Sequence, residues 1–292
     1  MRTEKDMMNV IKTVALNEEG IRAVYMNGSR TNPRAPKDIF QDYDIVYVVT
    51  DLAPYLNNPQ WIDIFGERLM IQEPDKLDKQ RGFPVNPNSY GYLMLFQDGN
   101  RIDLRLQTIE EMRHTYKADS LTIPVLDKDH ILPTIPAASD KDYHVRQPTE
   151  AGYYACTNNF WWCLQNVAKG IWRAELPYAK QMFELVIRPC LDQMVDWWIG
   201  CQHDFQAAPG KMGKYFSIYL PSDYWQLYKA TYSGSSNQEF WDSIFTVCKL
   251  FRLLALNVAT QLGFTYAEEE ETAMLHYLYA VKELPADAEA IL

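Results

Sequence analysis

The segment Tyr43-Asp44-Ile45-Val46-Tyr47-Val48-Val49-Thr50 constrains the fold of this chain more than any other. Beyond its one acidic residue it is an unbroken run of aliphatic, β-branched and aromatic side chains. A strand with one wet face alternates polar and apolar residues. This run instead predicts a central strand covered on both faces. Asp42 and Asp44 stand two residues apart at its start. Side chains alternate along a strand, so both carboxylates fall on one face. Adjacent carboxylates repel each other unless a cation sits between them. Hard oxygen donors at this spacing suit Mg²⁺, which takes one or two carboxylates together with substrate phosphates.

Ile21 to Asn27 predicts a short strand that runs into Gly28-Ser29-Arg30. A glycine at that point lets the backbone turn and approach a ligand closely. The amides and the Ser29 hydroxyl then suit phosphate oxygens, with Arg30 as a charged donor. Tyr90 to Gln97 and Arg101 to Gln107 predict two more strands, joined by the hairpin signal Asp98-Gly99-Asn100. In the second, Ile102, Leu104 and Leu106 alternate with Arg101, Asp103 and Arg105, so Asp103 faces away from the apolar side. Placed beside the Asp42/Asp44 strand, Asp103 completes a three-carboxylate site, the arrangement for two-metal phosphoryl transfer. Taken singly, these pieces read as a turn, a surface feature and a salt bridge to the flanking arginines. Their order along the chain is the restrictive feature.

The remaining pattern sets an α+β class. An amphipathic helix is expected over 4–17, a helical stretch over 59–66 and a short strand over 67–72, which gives a small mixed β-sheet flanked by helices. The loop-like Pro133-Thr134-Ile135-Pro136-Ala137-Ala138-Ser139-Asp140 then marks a change of texture. Domains are expected over 1–140 and 141–292, the second an all-α helical bundle. Thr149 caps a helix to about Ala168, Pro177 suits the first turn of the next, and Pro189 should kink or end it. Further helices fit 221–232, 237–262 and 267–283. Glu268-Glu269-Glu270-Glu271 falls in the first turn of the last, where carboxylates are favourable for the helix itself.

With 28 Lys+Arg against 38 Asp+Glu, the formal charge is −10. An acidic chain lacks the basic stripe of a nucleic-acid surface, so no nucleic-acid partner is expected. The balance accommodates a cationic small molecule, and equally a plain solubilising surface. The apolar runs fall short of the roughly 20 residues of a membrane span, and no apolar leader follows Met1. A cytoplasmic protein, and a monomer, is the expectation. Cys156, Cys163, Cys190, Cys201 and Cys248 form no C-x-x-C pair and are expected as reduced, mostly buried thiols. The five histidines show no metal or triad spacing.

The string Gly28-Ser29-Arg30-Thr31-Asn32-Pro33 followed by Phe40-Gln41-Asp42-Tyr43-Asp44-Ile45 resembles the aminoglycoside 6-adenylyltransferases, the streptomycin adenylyltransferase group. That group falls in the nucleotidyltransferase superfamily that includes DNA polymerase β. The resemblance continues through Trp61, Ile64-Phe65-Gly66, Tyr92 to Asn100, Ile102-Asp103-Leu104, Phe160-Trp161-Trp162, Lys169-Gly170 and Gly210-Lys211. It implies a nucleotidyltransferase sheet domain followed by a helical domain that closes the acceptor cleft. It also implies AMP transfer from ATP to a streptomycin hydroxyl, with Mg²⁺ and release of pyrophosphate. Carried onto this chain, Asp42 and Asp44 hold the metals. Asp103 completes the site and accepts the hydroxyl proton, and Gly28, Ser29 and Arg30 meet the phosphates.

A triphosphate also needs positive charge from the second side of a cleft. Lys169, Lys211 and Lys214 are the candidates, the last two on a flexible basic loop; as an alternative they are solvated lysines near turns. Family members carry an acidic run before the aromatic pair of the first helix of the second domain. Here Gly152 to Trp161 contains no carboxylate. Glu150, Glu175, Asp192 and Asp196 are the possible substitutes, and the Asp192/Asp196 pair reads first as a solvated helix face. Trp161, Trp162, Trp172, Trp197 and Trp198 read first as core. Three functions stay open on these residues: an aminoglycoside adenylyltransferase, a nucleotidyltransferase acting on another hydroxylated acceptor, and a nucleotide-binding homologue without turnover. A metal-dependent glycosyltransferase also uses D-x-D, but does not suit Gly28-Ser29 at this spacing.

Overall fold

A computed structural model describes residues 1–291. The chain divides into two compact units, one ending at Asp142 and one beginning at Tyr143.

The first unit is built on a six-stranded mixed sheet. It opens with helix α1 (Glu4–Asn17), capped by Thr3, whose hydroxyl accepts from the Asp6 amide while the Asp6 carboxylate accepts from the Thr3 amide. Strands β1 (Ile21–Asn27) and β2 (Tyr43–Val49) follow. Helix α2 (Ala53–Leu56), β3 (Arg68–Gln72) and α3 (Pro74–Gln80) lead to β4 (Ser89–Phe96) and β5 (Arg101–Thr108). Helix α4 (Ile109–Thr115) and β6 (Ile123–Asp127) complete it. The spatial order is β3-β4-β5-β2-β1-β6. Only the β2–β5 pair is parallel. The expected helical stretch at 59–66 is a 3₁₀ turn, Trp61–Phe65.

Strand β2 is central and covered on both faces. Ile45, Tyr47 and Val49 pack with Met7, Ile11 and Val14 of α1, while Val46 and Val48 pack with Met112 and Tyr116. The continuous apolar run therefore has an apolar neighbour on each side. The hairpin tip is tied to the N-terminus. Arg2 donates from its backbone amide and Nε to Asp98 Oδ2 at 2.9 and 2.7 Å, and Asn100 Nδ2 donates to the Arg2 carbonyl.

The second unit is helical: α5 (Glu150–Trp172), α6 (Leu176–Met182), α7 (Arg188–Gln202), α8 (Phe216–Tyr219), α9 (Ser222–Ala230), α10 (Asn237–Leu262) and α11 (Glu268–Glu283). Its core stacks Phe160 on Phe251 at 3.7 Å and buries Trp161, Trp197 and Trp198. Helix α10 is long and apolar enough by composition to cross a membrane, a length that simple apolar runs in the sequence conceal. Its apolar residues, Phe240, Ile244, Val247, Phe251 and Leu254 among them, are buried in this core. The helix preceding Pro189, α6, ends at Met182, so the regular α-helical pattern is interrupted before the proline as expected. The chain leaves α6 through a π-helical turn, Phe183–Ile187, and Pro189 falls in the first turn of α7, where its missing N–H is tolerated. Of the cysteines, all free, only Cys190 and Cys248 are buried; Cys156, Cys163 and Cys201 are half-buried.

Candidate active site

The parallel pairing of β2 with β5 sets Asp44 directly opposite Asp103. On its other side Asp44 lies opposite Asn27, the last residue of β1. Asp42 precedes β2, close enough for its charge to act on Asp44. Burial pushes the Asp44 carboxyl up to about 6, and the charges of Asp103 and Asp42 add to the rise. Asp42 is raised too, by burial first, with Arg101 opposing and Asp103 reinforcing.

Arg101 is the cation among these groups. Its Nε and one terminal nitrogen donate to the two oxygens of Asp103, each at 2.7 Å. Another terminal nitrogen stands 3.5 Å from Asp42 Oδ2. Asp103 thus makes the salt bridge that its flanking arginine suggests and also lies beside Asp44. Among the described residues, no three His, Cys, Asp or Glu side chains are set to hold a metal ion. The donor chemistry nevertheless fits a hard divalent cation. Carboxylates with raised affinity for protons face one another, and a guanidinium bonded to both oxygens of one of them supplies compensating charge.

Gly28 ends β1 with φ +78° and ψ −162°, and a Cβ there would overlap Asp44 Oδ2. The glycine lets the turn lie against the carboxylate. The following 3₁₀ turn, Ser29–Thr31, is anchored by the Thr31 hydroxyl, which donates to the carbonyls of Gly28 and Leu121. Arg30 is nearly buried and already engaged. It donates to the Gln41 carbonyl at 2.6 Å, to the Asp42 carbonyl at 3.3 Å and to Glu4 at 3.2 Å, and covers the Tyr43 ring at 3.9 Å. It fastens the segment leading into β2 by its backbone.

Asp42, Asp44, Asp103, Gly28, Ser29 and Arg30 therefore meet at one end of the sheet. Lys169, Lys211 and Lys214 belong to the helical unit and are not all brought together. Lys169 sits in the last turn of α5, against a cavity lined by Trp172 and Tyr277. Lys211 lines a different cavity of about 480 Å³ with His144, Arg146, Gln193, Asp196 and Trp197. Lys214 lies over the Tyr215 ring. The loop expected to be flexible is a 3₁₀ turn, Lys211–Gly213, closed by the Gly213 amide donating to Gly210 and the Tyr215 amide to Pro209.

Asp192 and Asp196 are half-buried rather than fully solvated: Asp192 accepts from the Tyr228 hydroxyl at 2.7 Å, and burial pushes Asp196 up to about 7. Trp162 and Trp172 depart from the core reading, at 65% and 37% exposed. Arg101 was not among the residues expected in the site, although its position two residues before Asp103, on the same face of β5, was the signal for it.

The chain matches the streptomycin adenylyltransferase family model over residues 1–281. It is 38% identical over 272 residues to an aminoglycoside 6-adenylyltransferase of Bacillus subtilis, covering 93% of this chain and 95% of that protein. Proteins of the same description from Campylobacter jejuni and Staphylococcus aureus are 35% and 31% identical, over 93% and 96% of their lengths. A crystal structure of a Bacillus subtilis aminoglycoside 6-adenyltransferase aligns with 97% of this chain and 100% of its own, at 33% identity and a TM-score of 0.48. With a family model spanning nearly its whole length and full-length relatives above 30% identity, this chain belongs to the streptomycin adenylyltransferase family, a family of nucleotidyltransferase enzymes.

Proposed function

We propose that this chain transfers the adenylyl group of ATP to a hydroxyl of an aminoglycoside, streptomycin at its 6-position, and releases pyrophosphate. The observation that carries the reading is the register of β2 on β5. It sets Asp44 beside Asp103, with the Gly28 turn pressed against Asp44, in a member of this family. In the reaction the acceptor hydroxyl oxygen bonds to the α-phosphorus, the bond from that phosphorus to the bridging oxygen breaks, and pyrophosphate leaves. The hydroxyl proton passes to a carboxylate, Asp103 in this reading.

Asp42, Asp44 and Asp103 would hold Mg²⁺. Such an ion neutralises charge on the triphosphate and on its leaving group. Arg101 balances the carboxylates until then and has to release Asp103 for that residue to serve. In this reading the Ser29 hydroxyl and the backbone amides of Ser29 and Arg30 would meet phosphate oxygens. Arg30 acts on the site through the Asp42 segment that it fastens. Of the lysines of the helical unit we favour Lys211, because Arg146 lines the same cavity and a triphosphate needs more than one positive group.

The absence of any carboxylate in residues 152–161 favours a second reading, a different hydroxylated acceptor. Pyrophosphate release from ATP and Mg²⁺, with streptomycin, with other aminoglycosides and with no acceptor, tests both. Streptomycin-dependent release supports the proposal. Release with none of them, from protein that still binds ATP, refutes the aminoglycoside reading. Loss of release by orders of magnitude in Asp42→Asn and Asp44→Asn is expected, and unchanged rates in both would remove the metal assignment.

A further inference from the structure

Three cysteines gather where α5 meets α7. Cys156, Asn159 and Cys163 follow one another on a single face of α5, at i, i+3 and i+7. Cys190 comes from the first turn of α7. The Cys156 thiol donates to the Cys190 carbonyl at 3.5 Å, so its sulfur lies against the Cys190 backbone. Asn159 links the other two. Its Nδ2 donates to Cys190 Sγ at 3.3 Å, and its Oδ1 accepts from the Cys163 thiol at 3.3 Å.

These contacts single out Cys190. Donation from the Cys156 thiol draws the Cys190 thiol below its usual range; burial opposes this and Asn159 reinforces it. The other thiols are shifted the opposite way: burial raises Cys163, Cys201 and Cys248, and Cys156 is raised first by its bond to Cys190. The thiolate is the nucleophilic form, so reactivity concentrates on Cys190. Cys190 is buried, but Asn159 is exposed and Cys156 and Cys163 are half-buried, which leaves a small reagent a route to the cluster from the α5 face.

Helix geometry then selects the partner. Cys156 and Cys163 are separated by two turns of α5, roughly 10 Å, beyond the roughly 7 Å between Cα atoms that a disulfide can span. Cys201 lies roughly three turns along α7 from Cys190, and Cys248 is buried on α10. A bridge within the cluster therefore runs from Cys190 to α5, where Cys156 is the thiol that touches the Cys190 backbone.

We propose that Cys190 and Cys156 are a peroxide-reactive pair that closes to a disulfide across α5 and α7. The Cys190 thiolate attacks one oxygen of hydrogen peroxide. The O–O bond breaks, the sulfur becomes a sulfenic acid, and the departing hydroxide takes a proton from solvent to become water. The Cys156 sulfur then attacks the Cys190 sulfur, the S–O bond breaks, and the oxygen leaves with the Cys156 proton as a second water. Two thiols are oxidised and one peroxide is reduced. The inference does not rest on the function proposed above.

The test treats the reduced full chain with hydrogen peroxide, alkylates the remaining thiols, and reads the intact mass and the mapped peptides. The wild type should lose two of its five thiols and the mass of two hydrogens, with the Cys156 and Cys190 peptides joined, and dithiothreitol should restore both thiols. In Cys156→Ala the bridge should be absent and Cys190 should persist as a sulfenic acid that dimedone captures. Asn159→Ala removes a donor to the Cys190 sulfur but no thiol, so the bridge should still form, with the pH profile of its rate displaced upward. Retention of all five thiols, a bridge through Cys163, or bridges only between molecules would overturn the proposal. Dimedone capture at Cys163 and not at Cys190 would overturn it as well, as would an unchanged pH profile in Asn159→Ala.

Discussion

Substituting Gly28 by alanine tests directly how the carboxylates are held. Gly28 adopts φ +78° and ψ −162°, a region essentially reserved for glycine, where another residue costs about 1–3 kcal/mol. The new Cβ would also overlap Asp44 Oδ2 and stand 2.9 Å from its Cγ, but 3.5 Å from its Cβ. The Asp44 carboxylate must therefore move, at a further cost of about 1–3 kcal/mol for overpacking. Asp44→Ala removes the overlapping atoms and leaves the remaining contact at an ordinary distance. In that background Gly28→Ala should cost only the backbone contribution. Urea unfolding of the four proteins of this cycle at pH 7 should show Gly28→Ala about 1–3 kcal/mol less damaging once Asp44 is truncated. Equal costs in both backgrounds would refute the claim that the glycine exists to admit the carboxylate. In the otherwise wild-type protein, Gly28→Ala should also abolish adenylyl transfer, because the displaced carboxylate no longer faces Asp103.

Three other outcomes follow from the geometry. Asp44 has a raised folded pKa, so its contribution to stability is fully present below 3.8 and is lost as pH rises through about 6. In EDTA, Asp44→Asn should therefore be more stable than wild type at pH 7, by up to about 3 kcal/mol, with the gap closing near pH 4; a gap independent of pH would contradict this. Arg2 and Asn100 hold the Asp98 carboxyl well below the usual range, so its stabilisation is present above 3.8 and is lost as pH falls. Asp98→Asn should lose about 1–2 kcal/mol at pH 7, with the gap narrowing as pH falls below 3.8, as read from thermal unfolding. Lys211→Ala should raise the KM for ATP roughly tenfold, as one lost charge-assisted contact would, and an unaltered KM would remove that turn from triphosphate binding.

The sheet was legible where one-dimensional pattern and three-dimensional environment coincide. The apolar run of β2 required two covered faces, and α1 and α4 cover them. Asp98-Gly99-Asn100 required a hairpin, and Gly99 takes the positive φ that such a tip needs. Strand β6 was not legible: it is an edge strand with Pro124 inside it, and its pairing with β1 shifts register between Val24 and Tyr25. Proline in so short a run argues against a strand unless the edge position is known. The π-helical turn before α7 was hidden as well, because Pro189 signals that the α-helix is interrupted but not that the chain continues through a π-helical turn. At the candidate site, Asp42, Asp44 and Asp103 could be read from strand alternation. The contacts of Arg30 could not, since they depend on where the Gln41–Asp42 backbone passes. Glu270 read as a favourable helix start, which it is; the bonds it accepts from Tyr154 and Asn158, more than a hundred residues earlier, exist only after folding.

The parallel pairing of β2 and β5 also bears on the order in which the chain folds. The β4–β5 hairpin is local and closes quickly, whereas its docking on β2 joins segments nearly 60 residues apart and must overcome the entropy of the intervening loop. Asp44 and Asp103 consequently approach one another only when that docking occurs. The electrostatic repulsion between these carboxylates then weighs on a long-range step of assembling the sheet, and not on the local contacts of the hairpin. Neutralising Asp44 should accordingly speed the docking step of refolding without altering the formation of the hairpin.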